Sequence, residues 1–195
     1  MKIKRIFAYL LDIFFVSLIS SLIVMIPIFN YNAPAIQEKT NEMYDSLLNT
    51  GSSDPDENIL IERLYDLEKE SSSLTVVTAF VTFIYFGVIG FINNGQTLGK
   101  MITKLRVVPV KDNKLNPGLY IIRTLLITSI IPQIINIASL SLMNANTWYN
   151  LTGIVSQVQE FFFLIILGFM IFRDDERGLH DIICQTKVIE AKKVD

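Results

Sequence analysis

One cysteine, Cys184, leaves nothing for an internal disulfide, and one histidine, His180, excludes a multi-histidine metal centre. Charge is scarce: only 18% of the 195 residues are charged, against about 25% in an ordinary soluble domain. No basic block with interleaved aromatics suggests nucleic acid. No nucleophile stands beside a base, and there is neither a phosphate loop nor a glycosidase-type carboxylate pair. The expectation is therefore no catalytic residue, no enzyme, no metal and no cofactor.

What the chain has is apolar sequence: 51% hydrophobic residues and a mean hydropathy of +0.43. Four stretches are long enough to cross a bilayer, which takes roughly 20 residues. They are Ile6–Ile28, Leu74–Ile92, Leu119–Leu142 and Leu151–Phe172. The first follows Lys2, Lys4 and Arg5 like a secretory signal, but it outruns the roughly 7–15 residues of such a segment and contains Asp12, so it reads as a retained helix. In the fourth, the uninterrupted apolar core begins only at Phe161.

Seventeen Lys and Arg nearly balance nineteen Asp and Glu, but the signs are segregated. Lys2, Lys4 and Arg5 precede the first stretch. Lys100, Lys104, Arg106, Lys111 and Lys114 lie between the second and third; Arg173, Arg177, Lys187, Lys192 and Lys193 follow the last. The connection from Asn30 to Ser73 carries ten acids against Lys39, Arg63 and Lys69. By the positive-inside rule both termini lie in the cytoplasm and the acidic connection lies outside.

That connection repeats Ile36, Met43, Leu47 and then Ile59/Leu60, Leu64, Leu67 at helical spacing around the turn-like Gly51-Ser-Ser-Asp-Pro55, predicting a helical hairpin over 30–73, with partial disorder the alternative its acidity leaves open. On the inner side, Leu98, Met101, Ile102 and Leu105 predict a short helix in the headgroup layer, with Lys100 and Lys104 toward anionic lipid. The β-prone segments Val107–Val110 and Thr186–Ile189 are expected to pair, with Lys111-Asp-Asn-Lys114 as a turn.

Charges within apolar stretches are the candidate functional residues, since each costs roughly 2.5–3.5 kcal/mol at a bilayer centre. At about 1.5 Å per residue, Asp12 lies about 9 Å and Arg123 about 6 Å from the inner edge. Matching depth and opposite charge predict that they lie within direct or water-bridged reach of each other, as a structural ion pair, with Asp181 the expected partner of Arg5. Glu160, about 18 Å in, falls with Gln133, Asn136 and Gln157 in a polar layer, and Thr75, Thr78, Thr82 and Tyr85 form a stripe on the second helix. Asp12, Arg123, Gln133, Asn136, Gln157 and Glu160 are thus a candidate ion pathway. Two readings stand for these residues: conduction of a cation or proton, or interhelical hydrogen-bond glue, with helix four starting only at Phe161 as a further alternative that leaves Glu160 in water. His180 and Asp181, adjacent on a helix, are expected to diverge by about 100°, and Cys184 to be a small apolar contact.

Arg5-Ile-Phe-Ala-Tyr-Leu-Leu-Asp12, Gly95-Gln-Thr-Leu-Gly-Lys100 with Arg106-Val-Val108, and Arg177-Gly-Leu-His-Asp181 with Thr186 resemble the RDD family of bacterial membrane proteins. The resemblance assigns the family's arginine to Arg5 and its two aspartates to Asp12 and Asp181; the literal Arg173-Asp-Asp175 is not the signature. Cys184-Gln185 replaces the Ala-Gly usual before Thr186, and the acidic hairpin looks like an insertion. The resemblance implies a bacterial inner membrane and a suggested role in transport of unidentified ligands. The expected architecture is an all-α membrane protein, a single domain over 1–195. It has four transmembrane helices, both termini inside, an interfacial helix and a small strand pairing at the inner rim. Expected partners are the lipid bilayer, and a homo-oligomer or another membrane protein. Two functions remain: transport, or help to a transporter, of cations, protons or a small solute; and a non-enzymatic accessory subunit.

Overall fold

The structure, a computed structural model, describes residues 1–48, 57–111 and 114–191. The turn expected at Gly51–Pro55 and the centre of that at Lys111–Lys114 lie outside the described residues.

Helix α1, Lys2–Val24, is patterned in reverse of a soluble helix. Its buried stripe is Arg5, Ala8, Asp12, Val16 and Ser20, at three- and four-residue spacing, while Leu10, Phe14, Leu18 and Leu22 point outward. An outward apolar face with polar groups turned in suits a lipid solvent, where charged side chains need protein partners. Helices α2, Ala33–Leu48, and α3, Glu57–Glu70, form the hairpin legible in the acidic connection. An Arg63–Glu42 ion pair joins them. Helix α4, Ser72–Ile92, follows, and turns π-helical over Phe83–Ile89. A short helix α5, Leu98–Ile102, leads into strand β1, Leu105–Pro109.

The third apolar stretch is not one straight helix. It divides into α6, Pro117–Ile127, and α7, Ile130–Leu142, bent by 70°. Pro132 is the cause in the sequence: in a continuous helix its ring would clash with the carbonyl four residues back, at Thr128. The chain instead extends at Thr128 (φ −115°, ψ 164°) and restarts with Pro132 in the first turn, where a missing N–H costs nothing. Helix α8 runs unbroken from Ala145 to Phe172, so it does not start at Phe161; Asn144 caps it by accepting from Thr147 N at 2.9 Å. Helix α9, Leu179–Ile183, and strand β2, Thr186–Glu190, complete the described chain. Three helices among the described residues are long and apolar enough to span a membrane, and four if the bent pair counts as one span.

The tail folds back as its β-prone sequence predicts. β1 and β2 are antiparallel, with Leu105 opposite Glu190 and Val107 opposite Val188. Ala8, Leu105, Val107, Tyr120 and Val188 form a small core that seats this sheet against α1 and α6. A second core, Val16, Val81, Tyr85 and Phe86, joins α1 to α4. The α2–α3 hairpin is docked rather than free: the Tyr65 hydroxyl reaches the carbonyls of Leu140 and Met143 at 2.9 and 3.0 Å, and its ring meets Trp148 edge-on.

Candidate functional site

Asp12 and Asp181 are both completely buried, and each organises a different set of donors. Asp12 sits on the inward stripe of α1. Its carboxylate accepts from the Tyr85 hydroxyl at 2.6 Å, the Thr97 hydroxyl at 2.6 Å and the Gly99 amide at 2.7 Å. Tyr85 comes from the π-helical part of α4, a conformation that recurs at functional sites. Thr97 and Gly99 come from the turn into α5, which presses closely on α1. A Cβ on Gly99 would stand 2.7 Å from Asp12 Oδ1, so only glycine admits this approach. Gly95 has φ +83°, which glycine adopts without strain, and its carbonyl accepts from Val107 N at 3.0 Å. The Gly95-x-x-x-Gly99 spacing therefore serves to clamp the β1 end of the chain onto Asp12.

Asp181 is held by arginines. Arg5 Nη2 donates to it at 2.5 Å and Arg123 Nε at 3.1 Å, with Thr186 Oγ1 also donating at 3.1 Å. The Arg5–Asp181 pair is the one expected from sequence. Asp12 and Arg123 make no direct contact among the described residues: Arg123 lies against Asp181 and His180, and Asp12 accepts from three neutral donors. Matching depth placed two charges in one layer but could not tell which of two nearby carboxylates the arginine meets. Burial alone would push the Asp181 carboxyl up; Arg123, His180 and Arg5 overcome this and hold it well below the usual carboxylate range.

His180 and Asp181 converge despite their adjacency, with Nε2 3.4 Å from Oδ1, because both gather around Arg123. Arg123 Nη2 lies 3.3 Å from His180 Nε2. A guanidinium only donates, so the tautomer that makes this bond accepts at Nε2 and carries its proton on Nδ1, which is buried without a partner among the described residues. Burial, reinforced by Arg123, Arg5 and Lys100 against the pull of Asp181, lowers His180 to about 3, so the ring is neutral at physiological pH. Arg177 ties the segment together, donating to the carbonyls of Thr186 at 3.0 Å and Asp181 at 3.1 Å. Cys184 is the buried apolar contact expected of it.

Lys100 departs from its expected place in the headgroup layer. Lys104 is exposed, but Lys100 is only 9% exposed and stands over the Phe86 ring, 5.9 Å from its centroid. The docking of Gly99 on α1 turns its neighbour inward. Burial, with Arg123 next, lowers Lys100 to about 8.

These groups line the polar end of a cavity of about 440 Å³ between α1, α6 and the C-terminal half of α8. Arg5, Asp12, Lys100, Arg123 and His180 face it, and its remaining walls are apolar. The Tyr9 ring closes it toward α8, packing on Phe163 with centroids 6.1 Å apart, and the Tyr9 hydroxyl donates to Ile127 O at 2.9 Å, at the α6–α7 break. Beyond Tyr9 and Ile13, which wall both spaces, lies a second cavity of about 410 Å³ with Ser17, Ser20, Thr78, Thr82, Ser129 and Gln133 on its surface.

The polar layer of the third and fourth stretches is dispersed. Gln133 lines the second cavity with a buried Oε1 that has no hydrogen-bond partner among the described residues. Asn136 is committed outward, donating to Glu68 Oε1 at 2.7 Å and accepting from Trp148 Nε1 at 2.8 Å. Gln157 borders a separate pocket beside the hairpin, and Glu160 is exposed on α8. Among the described residues no group of three or more His, Cys, Asp or Glu is arranged to hold a metal.

Comparison with known families finds the RDD family, whose model matches residues 3–185. No curated protein and no solved structure matches the chain.

Proposed function

The chain belongs to the RDD family, and from that premise we propose that it moves a small solute across a bacterial inner membrane, or assists another protein in doing so. In this reading both termini and the Arg5–Asp181 cluster face the cytoplasm, the bent pair makes a fourth span, and the α2–α3 hairpin is an outer insertion on a single domain. The observation that carries it is the pair of cavities sharing Tyr9 and Ile13 as a partition. One opens beside the charged cluster, the other is rich in hydroxyls, and a tyrosine anchored at a helix break separates them. Alternating exposure of two such spaces needs only a small movement at that break.

Of cations, protons and small solutes, the last fits best. Three basic side chains at the inner cavity repel a cation, and Glu160 and Asn136 belong to neither space. Flux tests the reading. Proteoliposomes of the purified chain should pass at least one small solute, among inorganic phosphate, short carboxylates and alkyl phosphates, faster than protein-free liposomes, while sodium and protons should show no such difference. Ile13→Trp, which bulks the partition, should slow that flux. No flux for any solute would support the accessory reading, which the apolar surface of the hairpin favours: Tyr44 is 57% and Leu48 78% exposed.

A further inference from the structure

The inner cavity carries a charge that its own residues do not balance. Arg5, Lys100 and Arg123 supply three positive charges, Asp12 and Asp181 two negative ones, and His180 is neutral. The negative charges are already engaged. Asp181 is shared by the two arginines, and Asp12 is taken up by Tyr85, Thr97 and the Gly99 amide. The Lys100 ammonium makes no hydrogen bond or ion pair with any described residue. Arg123 spends Nε on Asp181 and Nη2 on His180, which leaves Nη1 uncommitted among them. Asp12 and Asp181 attract Lys100 from a distance, but a buried cation with no carboxylate in contact is unfavourable unless something supplies a counter-ion. A ring face 5.9 Å away compensates only weakly.

The other walls specify the rest of the occupant. Beyond the charged end, the lining is Ile13, Ile127, Phe163 and Leu167, and the volume of about 440 Å³ is that of a small-molecule site. Ile6 and Leu10, also lining residues, are 38% and 57% exposed on the outward face of α1. In a spanning helix that face meets acyl chains, so the cavity is reached sideways from lipid rather than only from water.

We propose that this cavity binds an oxyanion carried on an apolar chain, an alkyl phosphate or a fatty carboxylate. Lys100 and Arg123 Nη1 take the head, and Ile13, Phe163 and Leu167 flank the chain. The inference names the solute class for the transport reading. It rests on that reading only for the claim that the occupant moves; binding stands on the cavity itself.

The test is binding without flux, on the full chain in a neutral maltoside detergent, read as the shift in thermal unfolding with added ligand. Dodecyl phosphate should raise the unfolding temperature by several degrees. Inorganic phosphate and dodecyltrimethylammonium at equal concentration should leave it unchanged. Lys100→Gln should unfold at or above the wild-type temperature without ligand, because it removes an unpaired charge, and should bind dodecyl phosphate at least tenfold more weakly; Lys100→Arg should retain binding. Leu167→Trp, which fills the chain site and leaves the charges alone, should also lose the response, and it serves as the test should Lys100→Gln fail to fold. Unchanged dodecyl phosphate binding in the folded variants overturns the proposal. So does an equal response to inorganic phosphate, which would mean a simple anion site, or to the cationic amphiphile, which would mean unselective apolar binding. Binding without any flux would overturn the transport reading alone.

Discussion

Arg123 holds the Asp181 carboxylate at 3.1 Å, and that contact joins α6 to the segment after the last apolar helix. Both side chains are buried, with relative exposures of 4% and 0%, so neither partner can turn to water when the other is removed. Breaking a buried pair from one side costs about 3–5 kcal/mol. Arg123→Ala and Asp181→Ala should each lose folded protein on that scale, and the double variant should be much less than additive. Equal additivity in a double-mutant cycle, read by thermal or denaturant unfolding, would show that the pair contributes nothing.

Asp12 should behave differently, because its partners are neutral. Asp12→Ala leaves two hydroxyls and an amide without an acceptor, at about 1–3 kcal/mol each. Asp12→Asn keeps one oxygen and should be milder. Gly99→Ala should be at least as severe as Asp12→Ala, because its methyl group would collide with the Ala8 backbone carbonyl and stand 2.7 Å from Asp12 Oδ1. Folded yield by size-exclusion chromatography ranks the three; a fully tolerated Gly99→Ala would contradict the close packing of α5 on α1.

The pH dependence follows from His180. Its folded value, about 3, lies below the ordinary 6.5, so between these values the unfolded chain binds a proton that the folded chain refuses. Stability from this group is complete above pH 6.5 and is lost as pH falls toward 3. The unfolding temperature should therefore decline on acidification from pH 6.5. His180→Gln should flatten that decline between pH 6.5 and 5, where the ordinary carboxylates have scarcely begun to titrate. An unchanged slope in the variant would assign the effect elsewhere.

Orientation is accessible to labelling. In a Cys184→Ser background, a cysteine at exposed Glu38 should react with an impermeant maleimide in intact cells. One at exposed Lys111 should react only after permeabilisation. The opposite pattern would invert the topology.

Much of this was legible because lipid and water impose separate patterns. Apolar runs interrupted by few charges located α1, α4 and α8 to within a few residues, apart from an earlier start to α8, and helical spacing found the hairpin. The β1–β2 pairing was legible because two β-prone segments of matching length lay on the same side of the spans. The α6–α7 break had a signal in Pro132, which hydropathy alone passes over because proline scarcely interrupts an apolar run.

What the sequence determined by itself is therefore the one-dimensional part: which segments are apolar, which polar residues lie within or beside them, and that Arg5 and Asp181 belong at one end. What only the tertiary structure decided is partnership. Asp12 finds Tyr85, Thr97 and Gly99, which are 73, 85 and 87 residues away, while Arg123 passes it for Asp181. Depth along a helix is a distance along one axis, whereas a hydrogen bond also requires the right rotation of each helix and contact within about 3 Å. The inward turn of Lys100 has the same origin. Its spacing is that of a surface helix, and only the seating of Gly99 on α1 carries the charge into the protein.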